Sequence, residues 1–227
     1  MKESPKNIIA LHNVSKTHKI KGEVIIALEN ISLNIAQGET IAITGPSGSG
    51  KSSLLHLMGC LDTPTRGEII IDNTPTTELR DSALAKLRNT TIGFVFQFFY
   101  LQPNLNVADN IGLPAMFKHE KQDAIDARTH KLISSVNIAE LADRHPSELS
   151  GGQIQRTAVA RALMNNPKII LADEPTGNLD PESSEAVMQL LLAANREFDT
   201  TIIVATHDQA IANRMQRTIK LNHGVIQ

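Results

Sequence analysis

The chain has 227 residues, of which 41% are apolar and 20% charged, and its net charge is -2. These values are ordinary for one globular domain with a sizeable core, and they exclude a protein that depends on a strong basic excess to bind nucleic acid. No apolar run approaches the roughly 20 residues needed to cross a bilayer, and the single cysteine, Cys60, excludes an internal disulfide.

Short β-branched runs dominate the first part of the chain, at 8–14, 24–28 and 31–35, and predict β-strands. Residues 40–44 form a continuous apolar run of the kind found in buried parallel strands. A glycine-rich stretch follows, and beyond it apolar residues at helical spacing predict a helix that includes Cys60 as a small apolar residue.

Strand patterns recur at 68–72 and 92–97, separated by a polar stretch that favours a helix. From about residue 98 to residue 164 the pattern becomes helical, most clearly at 123–136 and 152–164. This region is predicted to be a helical insertion.

The last part of the chain returns to buried strand patterns at 168–174 and 201–207. Between them, Asp180 is the predicted N-cap of a helix, with Pro181 at its first position. The segment 222–224 predicts a closing hairpin. Strands that alternate with helices predict an α/β fold with a largely parallel sheet.

The segment 45–52 matches the phosphate-binding pattern G-x-x-x-x-G-K-[ST] in full. Glycines let the backbone curl so that successive N–H groups point at an anion, and the following helix adds the positive end of its dipole. Lys51 would contact the β- and γ-phosphates, and the Ser52 hydroxyl would ligate Mg²⁺. The predicted nucleotide contacts are Gly45, Ser47, Gly48, Ser49, Gly50, Lys51, Ser52 and Ser53. The pattern alone predicts only nucleotide binding, because kinases, GTPases and ATPases share it.

Two carboxylates, Asp173 and Glu174, end a buried strand, at the edge where ligands bind in open α/β sheets. Asp173 is predicted to hold Mg²⁺, directly or through water. Glu174 is expected to point to the other side of the strand and to activate an attacking water as general base, an effect of about 10²–10⁴ in rate. Helix-capping or solvated acids are the alternative, which the phosphate loop in the same chain disfavours.

The segment 149–153 has the sequence LSGGQ, which is identical to the signature of ABC ATPases, and the chain resembles that family over nearly its whole length. A Ser-Gly-Gly turn that opens a helix is a second anion site. In the family, two subunits pair head to tail, and the signature of one closes over the ATP of the other. The resemblance implies a P-loop NTPase (RecA-like) parallel-sheet core, an N-terminal antiparallel β subdomain and an inserted α-helical subdomain.

The resemblance implies one ABC ATPase domain, 1–227, with the ATP-binding core and β subdomain at 1–97 and 165–227 and the helical signature subdomain at 98–164. It implies ATP and Mg²⁺ as cofactors. The implied partners are a second copy of the chain and an integral membrane permease, with no nucleic acid. The implied location is peripheral, on the cytoplasmic face of the inner membrane.

The resemblance also assigns roles to single residues. Gln97 resembles the Q-loop glutamine that meets Mg²⁺ and senses the membrane partner, and His207 resembles the switch histidine at the γ-phosphate. His18 stands where the family usually stacks adenine on an aromatic ring, and a stacked imidazole would be sensitive to pH because its free pKa is near 6.5. The implied catalytic residues are Glu174, His207 and Gln97; the implied metal ligands are Ser52, Gln97 and Asp173; the implied contacts across the dimer are Ser150, Gly151, Gly152, Gln153 and Asp180.

Three segments, 93–117, 145–152 and 171–180, resemble the lipoprotein-releasing and macrolide-export group. Those ATPases work beneath four-helix permeases with a large periplasmic part, where ATP use drives a mechanical movement. A non-transport membrane complex of the cell-division type would use the same motifs. A soluble ABC ATPase usually has a long coiled-coil insertion or tandem ATPase domains, and a kinase or GTPase would leave LSGGQ unexplained.

Overall fold

The structure is a computed structural model, and it describes residues 6–20, 22–118 and 120–227. Its strands are β1 (Asn7–Ile20), β2 (Glu23–Ala36), β3 (Thr40–Thr44), β4 (Arg66–Ile71), β5 (Thr74–Pro75), β6 (Ile92–Val95), β7 (Ile169–Asp173), β8 (Thr201–Ala205), β9 (Arg217–Asn222) and β10 (Val225–Ile226). Its α-helices are α1 (Lys51–Met58), α2 (Asp81–Thr91), α3 (Val107–Met116), α4 (Gln122–Ser135), α5 (Gly151–Leu163), α6 (Pro181–Phe198) and α7 (Gln209–Ala212).

The central sheet of the fold has six strands, in the order β10-β9-β3-β8-β7-β6. The five strands from β9 to β6 run parallel, and β10 adds an antiparallel edge through the predicted closing hairpin. Strands β3, β7 and β8 are buried almost throughout, as predicted from their continuous apolar sequences. The parallel order brings the carboxyl ends of β3, β8, β7 and β6 to one edge.

Different helices cover the two faces of this sheet. Ile41 and Ile43 of β3 pack in one apolar cluster with Leu54 of α1, whereas Ala42 belongs to another cluster with Leu191 of α6. Side chains alternate between the faces along a strand, so one continuous apolar run contributes side chains to both clusters. Each fully buried leucine contributes about 1.5–3 kcal/mol to folding.

An antiparallel sheet of order β2-β1-β4-β5 covers the α1 side. Strands β1 and β2 are each 14 residues long, longer than the predicted runs. The predicted run 8–14 ended before β1 does because residues 15–19 are polar, and the polar pair 29–30 separated the two predicted runs that β2 joins. Val24, Ile25 and Ile26, at the predicted start of β2, are exposed.

Helices α3, α4 and α5 pack around a third apolar cluster that includes Ile111, Ile125 and Ala160. These helices confirm the predicted helical insertion, whereas the boundaries at residues 98 and 164 stay a prediction. Across the described ranges, no helix combines the length and apolar character required to cross a membrane.

The prediction that Cys60 lies on a helix was wrong. Helix α1 ends at Met58, and Cys60 follows with φ +53. The left-handed conformation of Cys60 ends the helix: its N–H donates to the Leu57 carbonyl at 3.1 Å, and the Leu61 N–H donates to the His56 carbonyl at 2.9 Å, a pattern common at helix C-termini. Burial raises the pKa of the Cys60 thiol to about 11, which keeps it protonated and unreactive at neutral pH.

Candidate active site

The phosphate loop connects β3 to α1 at the carboxyl edge of the sheet. Gly48 and Gly50 have φ of +77 and +103, where glycine is favoured. A Cβ on Gly50 would lie 2.5 Å from the Ala27 carbonyl oxygen, and one on Gly45 would lie 2.1 Å from that of Leu221. The loop is therefore held between β2 and β9 at positions where only glycine fits.

Lys51 is buried, and its ammonium lies across the phosphate loop. Its Nζ donates to the carbonyl oxygens of Gly45 at 2.9 Å and Pro46 at 3.1 Å. Within the described residues, the backbone N–H groups of Lys51, Ser52 and Ser53 have no acceptor, as is usual for the first turn of a helix. A cation and several free N–H groups form a cradle for an anionic phosphate.

The groups at this edge fit a nucleoside triphosphate with Mg²⁺. The Ser49 hydroxyl is buried and has no partner in the described part of the chain, so the loop keeps an unused polar atom. The side chains of Ser52, Gln97 and Asp173 carry oxygen atoms, the ligands that Mg²⁺ prefers. The donor set therefore suits the predicted ion.

Asp173 is the last residue of β7, and Glu174 follows it with φ +45. The Glu174 N–H donates to the Ala205 carbonyl at 2.9 Å. Because Glu174 leaves the regular strand, the alternation of side chains does not set its direction. Its Oε1 lies 2.9 Å from Nδ1 of His207, and its side chain is only 16% exposed. The structure thus joins two predicted catalytic residues that are 33 positions apart in sequence.

Gln97 follows β6, the strand next to β7, and reaches the loop after Glu174. A Cβ on Gly177 would lie 3.4 Å from Gln97 Nε2, so the amide is close to this loop. The Asn178 Nδ2 also donates to the Gln97 carbonyl at 3.3 Å. Because β6 and β7 are neighbouring parallel strands, Gln97 and Glu174 lie at the same edge of the sheet.

The LSGGQ segment begins α5. Ser150 is the N-cap, and its Oγ accepts from the Gln153 N–H at 3.4 Å. The Gln153 Oε1 accepts in turn from the Ser150 N–H at 2.8 Å. This reciprocal capping box was not predicted, although Ser-x-x-Gln before a helix is its sequence pattern. The exposed start of α5 is therefore a well-ordered helix N-terminus.

Gly152 packs tightly against the start of α6, and Gly151 does not. A Cβ on Gly152 would lie 2.4 Å from Ser183 Oγ and 2.9 Å from Ser183 Cβ, whereas the nearest atom to a Cβ on Gly151 is a Leu179 methyl at 3.6 Å. Helix α5 therefore has room for a side chain at Gly151 but not at Gly152.

The two glycines form a matched pair for a stability test. We expect Gly152→Ala to lower the free energy of unfolding by about 1–3 kcal/mol, because the α5–α6 contact must open. Gly151→Ala should leave it unchanged or raise it by up to about 1 kcal/mol through helix propensity. Urea unfolding of both variants measures the difference. Equal stabilities would contradict the tight contact with Ser183.

Asp180 is the N-cap of α6, as predicted, and its carboxylate accepts from the Ser183 N–H at 2.9 Å. Hydrogen bonds from Ser183 lower the pKa of Asp180, so this exposed carboxylate is ionised at neutral pH. Asp180 thus lies beside the tight contact between α5 and α6.

His18 lies within β1, paired with Ile25 of β2, and is half-buried. The strand predicted at 8–14 ended before His18, and this end was wrong, because β1 continues to Ile20. Its stacking on adenine stays a prediction.

Gln155 of α5 was missed from the sequence. It is fully buried, and its Nε2 donates to the Pro175 carbonyl at 2.6 Å, directly after Glu174. A polar residue among apolar positions of a predicted helix, such as Val159 and Ala162, was the available signal.

The parallel sheet, the phosphate loop after β3 and the two carboxylates at the end of β7 define a P-loop nucleotide-hydrolysing protein. The sequence pattern of the ABC transporter family matches residues 28–177. The chain is also 48% identical over 224 residues to the ABC transporter ATP-binding protein MJ0796 of Methanocaldococcus jannaschii, across 97% of this chain and 95% of that protein. This chain belongs to the ABC transporter family as an ATP-binding cassette.

Solved structures agree with this assignment. A dimeric, post-hydrolysis structure of the MJ0796 cassette bound to ADP and Pi is 46% identical, with a TM-score of 0.91 over 96% of both chains. The structure of cbiO1 from Clostridium perfringens, part of the ABC transporter complex cbiONQ, is 31% identical, with a TM-score of 0.86 over 97% of this chain and 87% of that one. The predicted fold and ATPase activity are confirmed, with ATP and Mg²⁺ as cofactors.

Proposed function

We propose that two copies of this chain pair head to tail, hydrolyse ATP at two composite sites and drive a membrane permease of the lipoprotein-releasing or macrolide-exporting type. The observation that carries the pairing is the exposed N-terminus of α5 at Ser150, which is held in place because Gly152 packs on the start of α6. Such a helix end is an anion site. A phosphate held by a second copy is its ligand, which agrees with the dimeric structures of MJ0796.

Within one chain, the phosphate loop binds the nucleotide and Glu174 promotes hydrolysis. Glu174 accepts a proton from water while the water oxygen bonds to the γ-phosphorus and the bond to ADP breaks. His207 holds the Glu174 carboxylate, with Nδ1 at 2.9 Å from Oε1. In this proposal His207 also contacts the γ-phosphate of bound ATP. Mg²⁺, when bound, would neutralise phosphate charge. Its proposed ligands are Ser52, Gln97 and Asp173.

Across the dimer, the signature segment of each chain completes the other chain's site. The proposed contacts are Ser150, Gly151, Gly152, Gln153 and Asp180. The N-terminus of α5 gains an anionic ligand only when the two chains meet, so ATP binding favours the closed dimer. Adenine rests against His18 in this proposal.

A groove with a cavity volume of about 1260 Å³ is the proposed permease site, and it lies between α2, β6, α3 and α5. Phe94, Phe96, Tyr100 and Phe117 contribute aromatic walls, and Phe117 is 72% exposed. The described lining contains nothing from the phosphate loop. Exposed aromatic side chains around a groove favour a protein partner. The segment after Gln97 forms one wall, so a partner bound here affects the ATP site.

Recovery of the permease from native membranes tests this surface. We expect Phe117→Ser to lower recovery of the permease with the tagged chain about tenfold, because the complex loses an aromatic side chain that it would bury. Phe198→Ser is the matched control, since Phe198 is 64% exposed at the far end of α6. ATP hydrolysis by the isolated chain should be unchanged in both variants.

Mass spectrometry of the recovered partner tests the type of permease. A four-helix permease with a large periplasmic domain would support the lipoprotein-releasing or macrolide-exporting type, at the cytoplasmic face of the inner membrane. Recovery of a six-helix permease would exclude that type. Recovery of a cell-division complex would instead support the non-transport alternative. Equal recovery with Phe117→Ser and Phe198→Ser would contradict the groove as the permease site.

A further inference from the structure

The turn directly after Gln97 has an unusual backbone. Phe99 and Tyr100 have φ of +59 and +47, the left-handed region that bulky side chains rarely adopt. The local hydrogen bonds are from the Phe99 N–H to the Phe96 carbonyl at 3.3 Å and from the Tyr100 N–H to the Phe98 carbonyl at 2.6 Å. Two consecutive strained residues persist only where surrounding contacts hold them.

Arg161 supplies such contacts from the last turn of α5. Its two terminal nitrogens, Nη1 and Nη2, donate to the carbonyls of Tyr100 at 2.6 Å and Phe99 at 2.7 Å. The guanidinium forms no ion pair with a carboxylate in the described ranges, so these carbonyls are its hydrogen-bond partners. Burial lowers the pKa of Arg161, yet a guanidinium remains charged in proteins. The planar fork of arginine fits two acceptors at once.

Aromatic packing holds the other side of the turn. The Tyr100 ring meets the Phe96 ring edge-on, with centroids 5.2 Å apart, and Phe96 stacks on Phe94 at 5.5 Å. Gln97 follows Phe96 directly. Its position therefore depends on a short segment fixed by rings on one side and by Arg161 on the other.

We propose that Arg161 is a positioning residue for ATP hydrolysis. It holds the Phe99–Tyr100 turn against the signature helix, so that Gln97 stays beside the loop after Glu174 and this turn moves together with α5. Arg161 acts through Gln97, and the inference therefore rests on the proposed function of Gln97. One end of α5 then meets the partner's nucleotide while its other end holds the segment that lines the groove.

The composition of the chain allows a direct test of the turn. Tyr100 is the only tyrosine and there is no tryptophan, so the tyrosine band of the near-ultraviolet circular dichroism spectrum reports on this turn alone. We expect Arg161→Ala to lose most of this band, because the ring loses its fixed orientation. We expect kcat for ATP to fall about 10- to 100-fold, with KM within about twofold of the native value.

Two further variants separate positioning from general stability. Arg161→Lys should recover part of the band and of kcat, because lysine can donate to the same carbonyls but lacks the fork. Arg128→Ala is the matched control: Arg128 donates to the Met164 carbonyl at 3.2 Å and pairs with Glu120, and it has no hydrogen bond to the described residues of the turn. It should leave the band and kcat unchanged.

Gln97→Ala, measured in the same assay, distinguishes the two proposals. If Gln97→Ala lowers kcat and Arg161→Ala does not, the positioning role of Arg161 is wrong whether or not the tyrosine band changes. If Arg161→Ala and Arg128→Ala lower kcat equally, Arg161 contributes only to stability and the inference is overturned. If Gln97→Ala has the native kcat, the proposed role of Gln97 fails, and the positioning role fails with it.

Discussion

Replacing Glu174 by Gln is expected to lower ATP turnover about 10²–10⁴-fold while ATP still binds. Glutamine keeps the shape of the side chain and can still bond to His207, whose Nδ1 lies 2.9 Å from Glu174 Oε1. An amide cannot take a proton from the attacking water. ATP should therefore accumulate in a closed dimer that does not reopen.

Two measurements check the effect of Glu174→Gln. Phosphate release gives the turnover, and size-exclusion chromatography with and without ATP gives the oligomeric state. Glu197→Gln is the matched control, because Glu197 is an exposed acid at the end of α6. Hydrolysis at the native rate by Glu174→Gln would show that Glu174 is not the general base.

Lys51→Ala is expected to weaken ATP binding about 10- to 100-fold, because hydrogen bonds to charged groups are each worth about 1.5–3 kcal/mol. The variant loses the charge that faces the phosphates. It also loses two hydrogen bonds within the loop, to the carbonyls of Gly45 and Pro46. ATP titration by calorimetry measures the affinity directly.

Thermal unfolding separates the two effects of Lys51→Ala. ATP raises the Tm of the native chain by mass action, and this rise should be nearly absent in the variant at the same ATP concentration. Lys220→Ala is the control, since Lys220 is an exposed lysine on β9. Unchanged ATP affinity of Lys51→Ala would contradict the assignment of the phosphate loop.

Local sequence determined the elements whose signals are short-range. The run 40–44 became β3 with the predicted bounds, and Asp180 caps α6 with Pro181 at the first position. Burial on both faces requires a continuous apolar run, and a cap needs a side-chain oxygen next to a helix start. The phosphate-loop pattern was equally clear, because Gly48 and Gly50 adopt local backbone conformations, with φ of +77 and +103, that favour glycine.

Tertiary structure decided which of these elements meet. The contact between Glu174 and His207 depends on β7 lying next to β8. The position of Gln97 beside the loop after Glu174 depends on β6 lying next to β7. Strand order is a long-range property, so the motifs predicted the residues but not their distances. The same reason explains why Arg161 was missed. Its partners are the carbonyls of Phe99 and Tyr100, and backbone acceptors leave no pattern in the sequence.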